Sequence, residues 1–162
     1  MKLDFFNFIL QEFRMTMFKK ILVPVDGSTT SDKALDFALL LARDSHGEVR
    51  MIHAIDELSF LNSHEYSGEL INLARENGTQ ILHKAKIAAN ALAIPADTKL
   101  IDFPGKRLGD TVAEEARTWG ADLIVVGTHG RRGIGRVLLG SGAEQVIRMS
   151  AVPVLIIRSN ET

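Results

Sequence analysis

Hydrophobic and polar positions alternate between two periods along the chain. From Lys19 the run KKILVPVD is short and β-branched, and SDKALDFALLLARDSHG follows at helical spacing. In that helix Ala34, Leu35, Ala38, Leu39 and Ala42 share a face, and Gly47 is the natural stop. EVRMIHAID predicts a second strand. Residues 66–92 carry a long Ala-rich helical pattern, with Leu70, Leu73, Ala74, Ile81, Ala85 and Ala88 as its apolar face, weakened at the start by Gly68 and Gly78. DTKLIDF predicts a third strand and GDTVAEEARTWG a third helix, with Ala113 and Ala116 buried. ADLIVVG is apolar throughout, as a strand covered on both faces must be. A helix from Ser141 to Met149 and the strand PVLIIR complete the series.

Strands alternating with helices of this length predict βαβ units with right-handed crossovers. The fold class is therefore α/β, an open five-stranded parallel sheet with helices on both faces. No repeat and no linker divides it, so residues 17–160 form one domain. Residues 1–16 are a separate N-terminal extension. Leu3, Phe6, Leu10 and Phe13 fall at helical spacing there, predicting an amphipathic helix that packs on the domain or a partner. Its apolar run is too short for a secretory segment, and its polar face carries few Lys or Arg for a membrane surface. Met15 and Met17 are alternative translation starts.

Composition narrows the function. With 162 residues, 46% of them hydrophobic, the chain supports one sizeable core, and no stretch is long enough to span a bilayer. A net charge of -1 offers no nucleic-acid surface. The absence of cysteine excludes disulfides and thiolate metal sites and is compatible with a reducing, cytoplasmic setting.

The chemistry concentrates in GTHGRRGIGRVLLGSGAEQVIR, directly after the fourth strand. In an open parallel sheet, ligands bind beyond the carboxyl ends of the strands where their order reverses. A reversal between the first and fourth strands makes VDGSTTS and the glycine stretch face each other across one crevice. Glycines let main-chain N–H groups converge on an anion, and the next helix adds the positive end of its dipole. Ser141 with Glu144 three residues on is also a capping box, which needs no ligand. Capping alone would not call for Gly127, Gly130 and Gly140 together, which favours phosphate. The pattern GxxxxGK[ST] is absent, and GIGRVL lacks the third glycine of a dinucleotide fingerprint.

These residues resemble the nucleotide-binding branch of the universal stress protein family. Its signature of Gly, two residues, Gly, nine residues and Gly-Ser or Gly-Thr is matched by Gly127, Gly130 and Gly140-Ser141. KKILVPVDGS, VRMIHAID and AVPVLIIR are similar to the family's first, second and last strands. The resemblance implies a Rossmann-like fold of strand order 3-2-1-4-5 that binds ATP or a related adenine nucleotide, with Mg²⁺ as an ion accompanying the phosphates. It implies that Gly127, Gly130, Gly140 and Ser141 hold the phosphates, with Gly142 beside them. Asp26 would approach the ribose or a phosphate-bound metal, Pro24 and Val25 would wall the nucleotide, and Ala54 would meet adenine through its backbone. It further implies a homodimer through the last strand, which would cover an exposed edge.

The chain departs from the family pattern in three places. PGKRLGDT lacks the proline usual after the third strand, which leaves the start of the third helix open. Gly142 stands where a β-branched or hydroxylated residue is more usual, and the segment before Met17 has no counterpart. Arg131 and Arg132 fit a phosphate clamp and a solvated loop equally. His129 lies inside the motif without an assigned catalytic role, His53 reads as a core histidine, and His46, His64 and His83 show no metal spacing. Trp119 is expected to pack helix on sheet. Two function classes follow: a nucleotide-binding regulatory protein of the stress response, or a slow ATP hydrolase or other ATP-using enzyme on the same scaffold. Neither a Walker lysine nor an evident base supports the second.

Overall fold

The computed structural model describes residues 18–55, 68–102, 106–128 and 139–158. Its elements alternate in the order β1 (Lys20–Pro24), α1 (Thr29–Ser45), β2 (Glu48–Ala54), α2 (Gly68–Ala91), β3 (Ala96–Ile101), α3 (Leu108–Trp119), β4 (Leu123–Gly127), α4 (Ser141–Met149) and β5 (Val154–Ile157). The five strands pair in parallel in the order β3-β2-β1-β4-β5, so the order reverses between β1 and β4 as the pattern requires. Leu22 sits at the reversal, in register with Arg50 on one side and Ile124 on the other.

Alternate residues of each strand feed opposite core layers. Ile21, Val23, Val49, Met51 and Val125 face Ala34, Leu35, Ala38, Leu39 and Ala42 of α1 and Leu82, Ala85 and Ala89 of α2. Leu22, Ile52, Ile101 and Ile124 face Val112 and Ala116 of α3 and Val146 of α4. Each fully buried aliphatic side chain contributes about 1.5–3 kcal/mol. Stability is therefore concentrated in the central strands, whereas every residue of edge strand β5 is only half-buried. Among the described residues no helix is long and apolar enough to cross a membrane.

Three local expectations are refined. Helix α1 ends just before Gly47 as expected, but the left-handed residue there is His46, at φ 51°, which donates its N–H to the Ala42 and Arg43 carbonyls. Gly47 is needed for space, since a Cβ there would lie 2.8 Å from the Lys19 carbonyl oxygen. The buried face of α2 runs through Ile71, Gly78, Leu82, Ala85 and Ala89, while Leu73 is 61% exposed. Gly78 causes the offset. Lacking a Cβ, it lets α2 settle on His53 and Leu100, where a Cβ would come within 2.6 and 2.7 Å of their side chains. Helix α3 begins at Leu108, with Arg107 as N-cap in place of a proline turn. It crosses α4 closely because Gly109 abuts Gln145 and Gly142 abuts Leu108.

At the amino ends of the strands, Trp119 joins α3 to the sheet. It packs on the second core layer, with the Arg50 guanidinium 4.8 Å and the Lys20 ammonium 5.2 Å from its ring centre. Buried Glu115 accepts from Arg50 at 2.9 Å and from Lys99 at 2.5 Å. The hydrogen bond from Arg50 to Asp97, reinforced by Glu115, raises the guanidinium pKa above its ordinary value despite partial burial.

Candidate functional site

Two loops meet at the carboxyl ends of the strands. After Pro24 the chain turns through VDGSTTS into α1. Gly27 is left-handed at φ 78°, which selects glycine, and a Cβ there would also stand 3.2 Å from the Ile81 side chain on α2. Asp26 Oδ1 accepts from the Ser28 N–H at 2.9 Å, and the Asp26 N–H donates to Ser31 Oγ at 3.1 Å. Ser28 Oγ in turn caps α1 by accepting from the Ser31 N–H at 3.2 Å. These bonds hold half-buried Asp26 just beyond β1. Val25 is buried; its N–H continues the ladder to the Ile52 carbonyl at 2.8 Å, and its carbonyl faces His53 Nδ1 at 2.7 Å. Ala54, partly exposed, closes β2 in register with Ile101.

Across the reversal, β4 ends at Gly127 against α1. A Cβ there would lie 2.9 Å from the Thr30 carbonyl, so this glycine has a packing reason of its own. Buried Thr128 follows. Its N–H donates to the Ile157 carbonyl at 2.9 Å, and its carbonyl accepts from the Gly140 N–H at 2.7 Å. Both ends of the glycine motif are thereby in direct contact. Gly130, with His129, Arg131 and Arg132, lies outside the described residues, as do residues 1–17.

The capping box is not formed. Gly140 is the N-cap of α4 at φ -61° and ψ 147°, exposed Ser141 is its first helical residue, and among the described residues no side chain caps the helix. Glu144 falls one position too far along, with its N–H bonded to the Gly140 carbonyl at 3.0 Å. A glycine cap brings no side-chain acceptor of its own, and the first amides of α4 stand at the positive end of the helix dipole, where an anion is favoured. Gly142 points inward, to Leu108.

The two sides of the crevice differ electrostatically. On the α1 side burial raises the Asp32 carboxyl above its ordinary range, and the Asp36 and Asp26 carboxylates push the same way, opposed by Lys84. The first turn of α4 favours an anion through the helix dipole. Hydroxyl groups or a cation suit Asp26, an anion suits Gly140 and Ser141. Among the described residues no three His, Asp or Glu converge as a metal site. A shallow depression lined by Glu48, Lys86, Asn90, Pro95 and Asp97 lies at the opposite end of the sheet, away from both loops.

The structure thus brings Pro24, Val25, Asp26 and Ala54 to the carboxyl ends of β1 and β2, and Gly127, Gly140, Ser141 and Gly142 to the end of β4 and the first turn of α4. Sequence reasoning missed Thr128 and Ser31. Thr128 carries no periodic signal, and Ser31 is one hydroxyl among four in a polar loop. Only the first position after the apolar strand marks Thr128 as a residue that bonds to both β5 and the start of α4.

The family model described as the universal stress protein family matches residues 17–158. The chain is 37% identical over 145 residues to universal stress protein MJ0531 of Methanocaldococcus jannaschii, covering 88% of this chain and 83% of that one. The solved structure of hypothetical protein MJ0577 is similar at a TM-score of 0.78 and 28% identity, covering 90% of this chain and 99% of that one. Similar too are a universal stress protein in complex with cAMP, with a TM-score of 0.63, 26% identity and coverage of 88% and 98%, and one from Archaeoglobus fulgidus in complex with dAMP, with a TM-score of 0.63, 25% identity and coverage of 87% and 98%.

Proposed function

The chain belongs to the universal stress protein family, and we propose that it binds ATP or a related adenine nucleotide at the carboxyl ends of β1, β2 and β4. The observation that carries this reading is the start of α4, uncapped by any side chain among the described residues and held beside the strand ends by the Gly140–Thr128 hydrogen bond. In it Gly127, Gly130, Gly140 and Ser141 take the phosphates, with Gly142 behind them. Asp26 takes the ribose hydroxyls or a phosphate-bound Mg²⁺, Pro24 and Val25 wall the nucleotide, and Ala54 meets adenine through its main chain. The acidic α1 side supports that polarity, and the cAMP and dAMP carried by two similar proteins support the ligand class.

The protein acts as a cytoplasmic stress-response sensor that alters a partner surface when the nucleotide binds. It works as a homodimer through β5. That strand stands at the sheet edge, half-buried, beside α4 with its exposed Ile147 and Met149, and a second copy would cover it.

Isothermal titration of nucleotide-free protein with ATP, ADP and AMP, with and without Mg²⁺, tests the ligand. Absence of binding at millimolar ATP overturns the proposal. Phosphate release above background, abolished by Asp26→Ala, would replace the sensor with a slow hydrolase. Light scattering tests the dimer.

A further inference from the structure

The pairing of β2 on its two sides differs at Ala54. On the β3 side the Ile55 N–H donates to the Ile101 carbonyl at 3.0 Å, while Ala54 itself is the residue in register with Ile101. Along a strand the main-chain groups point alternately to either neighbour, so the N–H of Ala54 points toward β1. There the ladder runs one step beyond Pro24, through the Val25 N–H to the Ile52 carbonyl at 2.8 Å. Its next rung would be the Ala54 N–H on the Val25 carbonyl. Among the described residues that bond is not made, and His53 Nδ1 lies 2.7 Å from the same carbonyl oxygen.

A carbonyl only accepts, so the ring proton is on Nδ1 and the imidazole donates. The ring is 7% exposed, and Gly78 of α2 lies so close to its Cδ2 edge that a Cβ would stand 2.6 Å away. The imidazole is therefore locked in the orientation that reaches Val25.

We infer that His53 is a positioning residue: by taking the Val25 carbonyl it ends the β1–β2 ladder one rung early and leaves the Ala54 N–H facing the crevice, as a donor for a ring nitrogen of a purine base. The identity of the ligand rests on the function proposed above; the early end of the ladder does not.

The test uses the full chain and the variants His53→Val and His53→Asn, with ATP and inorganic tripolyphosphate as probes and amide hydrogen exchange at Ala54 as the structural readout. Valine suits a strand and removes the competing donor. Asparagine returns an N–H near the Nδ1 position. In the ligand-free protein the Ala54 amide should exchange far faster than its neighbours in β2 and slow when ATP is added. In His53→Val it should be slow without ligand. ATP affinity should fall about tenfold in His53→Val, the loss of one hydrogen bond, be largely kept in His53→Asn, and leave tripolyphosphate affinity unchanged in both. A protected Ala54 amide in the ligand-free native protein overturns the inference. So does an unaltered ATP affinity in folded His53→Val, or an equal loss of tripolyphosphate binding. If the native protein binds no ATP, the proposed function fails, and the exchange rates of the ligand-free proteins still decide the role of His53.

Discussion

Gly140 donates its N–H to the Thr128 carbonyl at 2.7 Å, while the Thr128 N–H donates to Ile157 at 2.9 Å. One buried residue therefore ties the end of β4 both to β5 and to the start of α4. The amino terminus of that helix is held beside the strand ends by the fold itself, so its amides need no ligand to bring them there.

Substituting Gly140→Val tests whether those amides bind phosphate. The backbone angles of Gly140 suit any residue, so the helix start should survive with a capping loss of about 1 kcal/mol. The branched side chain would crowd the approach to the Ser141 and Gly142 N–H groups. ATP affinity measured by titration should drop at least about tenfold with a modest shift of the urea midpoint. Unchanged affinity would place the phosphates elsewhere.

Asp26 combines a turn and a candidate ligand, and two substitutions separate them. Asp26→Asn retains an oxygen for the Ser28 N–H and should leave the thermal midpoint nearly unchanged, while weakening any Mg²⁺-dependent part of ATP binding. Asp26→Ala also loses the turn bond seen at 2.9 Å, at a cost of about 1 kcal/mol. Equal ATP affinity in both variants and the native protein, with Mg²⁺ present, would remove Asp26 from the site.

Gly78→Ala should destabilise the fold, although the same change in an exposed helix gains about 1 kcal/mol. The added methyl would stand 2.6 Å from the His53 ring, which its bond to Val25 prevents from yielding, and 2.7 Å from Leu100. Overpacking of this kind costs about 1–3 kcal/mol and should win. Denaturant unfolding gives the sign directly.

The raised pKa of Asp32 sets a pH dependence. The folded state holds this proton more tightly than the unfolded chain, so ionisation costs stability as pH climbs from about 3.9 through the folded value, and the full cost is present at neutral pH. Asp32→Asn should therefore be more stable than the native protein at pH 7. The gain should vanish below the ordinary aspartate pKa. A gain of the same size in acid would point to another cause.

Glu115→Ala serves as a control remote from the crevice. It leaves Arg50 with Asp97 alone and Lys99 without its buried partner, at a cost of about 2 kcal/mol. Stability should fall while ATP affinity per folded molecule holds. A parallel loss of affinity would mean that the two ends of the sheet are coupled.

The central sheet was legible because β1 and β4 are covered on both faces and read as unbroken apolar runs, and because α1 buries every position its spacing predicts. The reversal between β1 and β4 was legible too, since the two most polar loops flank it. Hydrophobic patterning failed where a missing side chain makes the contact. Gly78 defines the buried line of α2, yet a pattern search finds nothing at that position. Gly47 shows the same limit, because close approach and left-handed torsion both select glycine and the structure alone separates them. Within the candidate site, the motif marked Gly127, Gly140 and Ser141 but not the bonds of Thr128, which depend on strands far apart in sequence. The capping alternative at Ser141 failed by one residue, a shift that sequence spacing does not resolve.

Trp119 is the sole tryptophan of the chain, clasped between two cations at the amino ends of the strands. Its fluorescence therefore originates at the pole of the molecule opposite the proposed nucleotide crevice. Emission should change when the α3–sheet contact dissolves and remain indifferent to occupancy. The chain thus contains an intrinsic optical gauge of folding, on which melting curves recorded with and without ligand share one spectroscopic baseline.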